Sequence, residues 1–452
     1  MTDGVDPESC LHESLHALRE ASSAFGAAGA VVTDGATVAV GAVGMADQRA
    51  RVSMTPQTTF ELASQTKLMT TFAVLTLARD GRIDLDARVT DFVPESCFSV
   101  PQEARKVTLD HLMRHTAGFG HLTRPRSLSR PLHSSGLSMW RRKSSSASVS
   151  SDGPLEMRTP AGAQARYSNV GSALLAEVLE RRLGIPYAEA LEDLVFEPLG
   201  MSATTIGLNE VPSAARYKFS RVSTPWDLYP RWKGIAGGLS TIEDLARLVS
   251  PYTRLVDQVD LNGVLLRSIT PHFSPSGDGL PGHVAGWRRE VVGGTVVLHQ
   301  AGTHPGMTVK AVALPEHATA VVLLANCSAR PQIHAAAQGL AQRLASIPDQ
   351  RLPARTPRSM EVAGRYVLAG GPVDYPTYWA DCGRTLVISL EASGAQVSGG
   401  RVRPTPLVEL GDGTLGFEHA GALVTIRPSV TASNRSLVLG GPYTGVTLRR
   451  VS

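Results

Sequence analysis

The order in which periodicities follow one another constrains this chain more than any other feature. Short apolar runs of strand length lie near the start, at 29–33 and 37–43, and within residues 1–345 strand patterns return only at 284–298, 307–314 and 319–326. Between these blocks the pattern is helical: 64–80, closed by Gly81, then 108–117, 170–183, 187–200 and 241–250. Two more amphipathic patterns, at 7–25 and 332–346, lie outside the strand blocks. A sheet assembled from these runs must gather strands from both ends of residues 1–345. The expected fold is therefore α+β: an antiparallel sheet flanked by helices, with a helical region inserted over about 65–240. Asp34-Gly35, between the first two runs, is a hairpin turn signal.

Residues 346–358, SIPDQRLPARTPR, are rich in Pro and Arg and read as a linker. Short strand patterns follow at 365–369, 385–391, 423–427, 436–439 and 446–450, so 359–452 is expected to be a small all-β domain, an antiparallel barrel or sandwich. With 42% hydrophobic and 19% charged residues, the 452-residue chain has the balance of a globular protein of two or three domains, which excludes wholesale disorder. No apolar run approaches the roughly 18 residues of a membrane span. The opening MTDGVDPESC lacks a basic segment followed by an apolar one, so a cytoplasmic location is expected. Cys10, Cys97, Cys327 and Cys382 are widely scattered and read as reduced thiols rather than as a disulfide framework or a zinc site.

The net charge of +4 is concentrated in one place. Arg124, Arg126, Arg130, Arg141, Arg142, Lys143 and Arg158 face only Asp152 and Glu156 within 121–158, and the rest of the chain is nearly neutral. A nucleic-acid-binding face, which needs a basic stripe across a domain, is not expected. The run SSSASVSS marks 121–157 as a surface insertion, or else a lid or a dock for an acidic partner such as a carrier protein.

Three local patterns can carry chemistry. In Ser64-Gln65-Thr66-Lys67 a hydroxyl and an amine stand three residues apart, which on a helix places both on one face. A serine near a helix N-terminus also lies beside free backbone N–H groups and the positive end of the dipole. To act as a base the amine must be neutral, so burial and neighbours must bring its pKa down by about 3, roughly 4 kcal/mol. Only 6 of the 44 basic residues are Lys, and arginine cannot serve as such a base, so this lysine is a poor match for a generic surface charge. Tyr167-Ser168-Asn169, after the turn Pro160-Ala161-Gly162, can aim a phenol and a carboxamide into one cleft. His299-Gln300-Ala301-Gly302 follows a strand pattern, and its small residues let backbone N–H groups approach a substrate. Singly, each has a plain structural explanation: chance spacing, a helix cap, a strand-end histidine with turn residues.

Together these patterns, with TLDHLMRHTAGF (108–119), PAGAQARYSNVGSALLAEVLERRLG (160–184), FEPLGM (196–201) and AGGLSTIEDLARL (236–248), resemble the penicillin-binding-protein and class C β-lactamase superfamily of serine acyl enzymes. The resemblance covers about residues 10–345. It implies Ser64 as nucleophile, Lys67 as base, Tyr167 as proton relay, Asn169 as a substrate anchor and His299 as the polar residue of the third motif. It also implies oxyanion donors at the N–H groups of Ser64 and Ala301, beside Gly302, and no metal or organic cofactor. The third motif departs from the usual H-x-G-G-x-P-G: HQAGTHPGM has Ala301 where Gly is common and one extra residue before Pro305, which makes His304 a second candidate.

With an appended lipocalin-like β-barrel, the chain is also similar to stand-alone thioesterases that release and cyclise nonribosomal peptides. The expected substrate is thus a small-molecule or peptidyl acyl group. A cytosolic esterase, D-aminopeptidase or β-lactamase-like hydrolase is the alternative, and a non-catalytic binding protein retaining the fold is the alternative of another class. Arg449 and Arg450, near the last strand, are candidates for binding a substrate carboxylate. His12-Glu13-Ser14-Leu15-His16 matches the H-E-x-x-H helix of zinc proteases but has no third ligand in view, and reads as an amphipathic helix. His111 and His115 share the same spacing and read as packed residues.

Overall fold

The computed structural model describes residues 5–450 apart from short gaps and the stretches 121–153, 208–213, 223–232, 255–263, 271–281, 348–362 and 369–384. The basic stretch 121–157 thus lies almost wholly outside the described residues, as do most of 346–358 and Cys382.

Strand β1 (Gly26–Thr33) turns into β2 (Ala36–Asp47) through Asp34 and Gly35, both with positive φ, 50° and 79°. Two left-handed residues in succession match the right-handed twist of the flanking strands. β3 (Val52–Ser53) pairs with the far side of β2. The remaining strands of this sheet come from the other end of the chain segment: β4 (Gly282–Val284), β5 (Trp287–Val292), β6 (Thr295–His304), β7 (Met307–Leu314) and β8 (Thr319–Ala325). Eight strands lie in the order β3-β2-β1-β8-β7-β6-β5-β4. The two blocks join where β1 runs antiparallel to β8, from Ala27↔Ala325 to Thr33↔Thr319.

Alternation along these strands builds two separate cores. Val31, Val297, Val312, Val321 and Leu323 meet helix α1 (Pro7–Ser22), through Leu11, Leu15 and Leu18, and the C-terminal helix, through Ile333 and Leu340. Ala30, Val32, Leu298, Val309, Ala311, Val322 and Leu324 face the inserted helices: α2 (Thr66–Arg79), α3 (Asn169–Leu183) and α4 (Ile242–Val249). The C-terminal helix is α5 (Arg330–Leu344). Each fully buried Leu or Val in these layers contributes roughly 1.5–3 kcal/mol. β6 thus has one face toward α5 and the other toward the helical region, a parity that matters for the site.

The C-terminal unit is a second antiparallel sheet of nine strands. It runs from Val402–Pro406 at one edge through Gly364–Leu368 and Val446–Arg450 at its centre to Val408–Gly411 at the other edge. The expected closed barrel is not what the ladders form, because among the described residues the two edge strands do not pair with each other. Val397 and Val402 from one end nevertheless share an apolar cluster with Leu415 and Phe417 from the other, so the sheet curls over its apolar face without closing. Among the described residues no helix is long and apolar enough to cross a membrane.

Candidate active site

Ser64 sits on a single tight turn, Ala63–Gln65, and α2 begins after it at Thr66. The sequence pattern starts the helix at Ser64; the structure delays it because Ala63 adopts a left-handed φ of 47°. A non-glycine residue in that region typically stores about 1–3 kcal/mol and persists only when its surroundings over-determine it. Here the surroundings are explicit. Leu62 N–H donates to Gly238 O at 2.8 Å, Thr66 Oγ1 donates to Ala63 O at 2.8 Å, and Gly238 N–H donates back to Thr66 Oγ1 at 3.1 Å. The turn is thereby stitched to the short strand Gly238–Ser240, which also pairs with Phe60–Glu61.

Lys67, in the first turn of α2, is 2% exposed. Its Nζ lies 3.1 Å from Ser64 Oγ and donates to Ile235 O at 2.9 Å. From the opposite side of the insertion, the Tyr167 hydroxyl lies 2.9 Å from Ser64 Oγ, with Lys67 Nζ 5.2 Å from the centre of the phenol ring. The hydroxyl, amine and phenol that stand apart in sequence therefore converge on one oxygen. Asn169, the first residue of α3, is buried two residues beyond Tyr167. Ser168 does not cap that helix; its hydroxyl donates to Gly120 O at 3.0 Å.

The third pattern is placed by strand parity. A Cβ on Gly302 would stand 2.0 Å from Leu62 O and 3.1 Å from Gln65 N, so only glycine lets β6 lie directly on the Ser64 turn. Gln300, Gly302 and His304 share the face of Leu298, toward the helical region. Gln300 is buried, and its Oε1 accepts the N–H of Ala301 at 3.1 Å. His304 Nδ1 lies 2.9 Å from a carboxylate oxygen of Glu61, three residues before Ser64.

His299 is one residue out of phase and faces the α5 layer. Lys310 Nζ donates to its Nδ1 at 2.7 Å, Glu290 Oε1 lies 3.5 Å from its Nε2, and the His334 ring of α5 stands 5.2 Å away, edge-on. Burial, reinforced by the Lys310 and Arg288 charges, holds its imidazole well below the usual histidine range. Arg288, opposite His299 across β5 and β6, carries its guanidinium 5.5 Å from the Tyr167 ring centre. Gln300 and Arg288 were not singled out in the sequence. Counting faces from Gly302, once its contact with the turn is known, is the signal that finds Gln300.

Arg449 lies on a central strand of the C-terminal sheet, paired with Val367 and Ser436; its side chain is outside what is described. The His12 and His16 rings lie tilted against each other on α1 with centres 4.5 Å apart, while Glu13 pairs with Arg343 at 2.9 Å. Among the described residues, no cluster of three or more His, Cys, Asp or Glu is arranged to hold a metal ion. Cys10 and Cys327 are buried free thiols and Cys97 is partly buried.

A sheet divided by a helical insertion, with a serine turn wedged between the two, defines the β-lactamase/transpeptidase-like class of folds. Within that class the chain belongs to the Beta-lactamase family, whose sequence profile matches residues 13–345. Esterase EstB of Burkholderia gladioli is 33% identical over 199 residues, 41% of this chain and 47% of its own length. Penicillin-binding protein 4 of Amycolatopsis lactamdurans is 28% identical over 246 residues, 52% of this chain and 61% of its own. The chain thus spans about half the length of these curated relatives. Among solved structures, the octameric penicillin-binding protein homologue from Pyrococcus abyssi superposes with a TM-score of 0.61 at 19% identity, covering 98% of this chain and 99% of that one. SurE gives 0.62 at 21%, covering 99% of both chains, so the likeness of fold extends through the C-terminal sheet.

Proposed function

We propose that this chain is a serine acyl-transfer enzyme that works through an acyl-Ser64 intermediate. The observation that carries the reading is the double contact on Ser64 Oγ, from Lys67 Nζ at 3.1 Å and from the Tyr167 hydroxyl at 2.9 Å. A neutral Lys67 amine can donate one N–H to Ile235 O and still turn its lone pair toward the serine proton. As Ser64 Oγ bonds to the substrate carbonyl carbon, that proton moves to Lys67 and is passed by Tyr167 to the leaving oxygen, sulfur or nitrogen. Water or a second nucleophile then attacks the acyl-Ser64 carbonyl, gives its proton to the same pair and restores the hydroxyl. Such base assistance is worth about 10²–10⁴ in rate. His299, turned toward Lys310 and α5, takes no part in this scheme; Gln300, on the same strand face as Gly302, is the third-motif side chain on the side of the Ser64 turn.

The acyl acceptor follows less directly. Release or macrocyclisation of a nonribosomal peptide held as a thioester is the finer reading, supported by the basic stretch 121–157, whose charge suits an acidic carrier protein. Simple ester hydrolysis is the second reading, favoured by the 33% identity to an esterase. Intact-mass spectrometry after incubation with a p-nitrophenyl ester, a β-lactam and a peptidyl thioester tests the scheme. The wild-type chain should gain an acyl mass and Ser64→Ala should not; no gain with any probe would favour a non-catalytic binding protein. Cyclic rather than linear product from the thioester separates the two finer readings.

A further inference from the structure

We propose that His115 is a positioning residue for this reaction, holding the Tyr167 phenol against Ser64 through the backbone of Ser168 and through the face of the phenol ring. The inference rests on the acyl-Ser64 reading and deepens it. His115 follows the short helix Leu109–Met113, is buried, and adopts a left-handed φ of 57°. Positive φ is uncommon outside glycine, although histidine is among the residue types enriched there. Its Nδ1 accepts the Ser168 N–H at 3.3 Å. Ser168 is in extended conformation (φ −136°, ψ 124°), and its hydroxyl is fixed on Gly120 O, so the backbone just after Tyr167 is tied down twice.

The same imidazole lies 4.7 Å from the Tyr167 ring, and His283 stands 4.9 Å from His115, edge-on, and 5.8 Å from Tyr167. Among the described residues, Lys67 and Arg288 bring cations near that ring, at 5.2 and 5.5 Å from its centre. An Nδ1 that accepts a backbone N–H leaves the ring proton on Nε2, so His115 presents a neutral face to the phenol. Burial first, and then the Arg288 charge, hold the His283 imidazole well below the usual histidine range. His115 acts on the reaction only through Tyr167 and Ser168, so its loss should lower the acylation rate without weakening substrate binding.

The test uses the full chain, a p-nitrophenyl ester, and two variants whose backbones both accept a positive φ. His115→Gly removes ring and acceptor; His115→Asn restores an acceptor near the Nδ1 position but not the ring face. A displaced catalytic group typically costs about a hundredfold. His115→Gly should therefore lower the acylation rate constant by about 100-fold, with KM within about twofold of wild type, and His115→Asn should recover to about three- to tenfold below wild type. Equal rates for His115→Gly and wild type, or no recovery in His115→Asn at equal melting temperature, would overturn the inference. If the glycine variant does not fold, His115→Asn decides alone: a kcat equal to wild type overturns it, and a loss in kcat at unchanged KM supports it. A wild-type chain that forms no acyl enzyme would instead sink the acyl-Ser64 reading, and this inference with it.

Discussion

Ser64 Oγ meets an amine on one side and a phenol on the other, and the two are not equivalent. Lys67 is buried and can act as a base only by losing a proton, which arginine does not do. Lys67→Arg should therefore lower acylation by about 10²–10⁴ while Ser64 stays in place, and Tyr167→Phe should give a loss at the lower end of that range. Stopped-flow release of p-nitrophenol measures both; a Lys67→Arg chain within tenfold of wild type would rule out the amine as base. These residues were legible in sequence because each belongs to a short local pattern. Gln300 was not, because the adjacent His299 is the more conspicuous side chain and the extra residue before Pro305 hides which face of the strand each occupies. In sequence His115 is legible only as a packed residue; the folded chain brings its ring against Tyr167.

At the scale of elements, the site depends on β6 lying flush against the serine turn. Gly302 permits this, since any Cβ would meet Leu62 O at 2.0 Å, a backbone atom that cannot rotate away. Gly302→Ala should force the strand and the turn apart, destabilising the fold by about 1–3 kcal/mol and lowering acylation more than the stability loss explains. Thermal melting and the acylation rate, compared in one variant, check this; a chain with wild-type activity and a lowered melting temperature would show that the contact only supports the fold. The eight-stranded sheet is readable in the sequence because its strands are uninterrupted apolar runs such as Thr319–Ala325. The C-terminal sheet was half-read. Gly394–Gly399, Val402–Pro406, Val408–Gly411 and Thr414–His419 are broken by Gly, Pro and charged residues, and only pairing with neighbours reveals them as strands.

Over the whole molecule, two imidazoles tie the stability of the eight-stranded sheet and its helices to pH. His299 on β6 and His334 on α5 meet between the sheet and its outer helix, 1% and 2% exposed. Burial comes first, then the Lys310 charge, in holding both well below the ordinary histidine range; Arg288 also disfavours a proton on His299, while Glu290 partly favours one on His334. In the folded chain both rings take up protons only at a lower pH than in the unfolded chain, where they do so below about 6.5. The unfolded state then binds more protons, so their contribution to stability is complete above pH 6.5 and is lost as the pH falls. Each ring adds a slope of up to about 1.4 kcal/mol per pH unit on the acid side. Urea unfolding of the full chain at pH 7.5, 6 and 5 should show this loss, and His334→Gln should flatten it by about one ring's share. Because the carboxylates titrate alike in both chains, identical pH slopes for the variant and wild type would mean that His334 is protonated in the fold, and that the layer between β6 and α5 admits a charge its burial argues against.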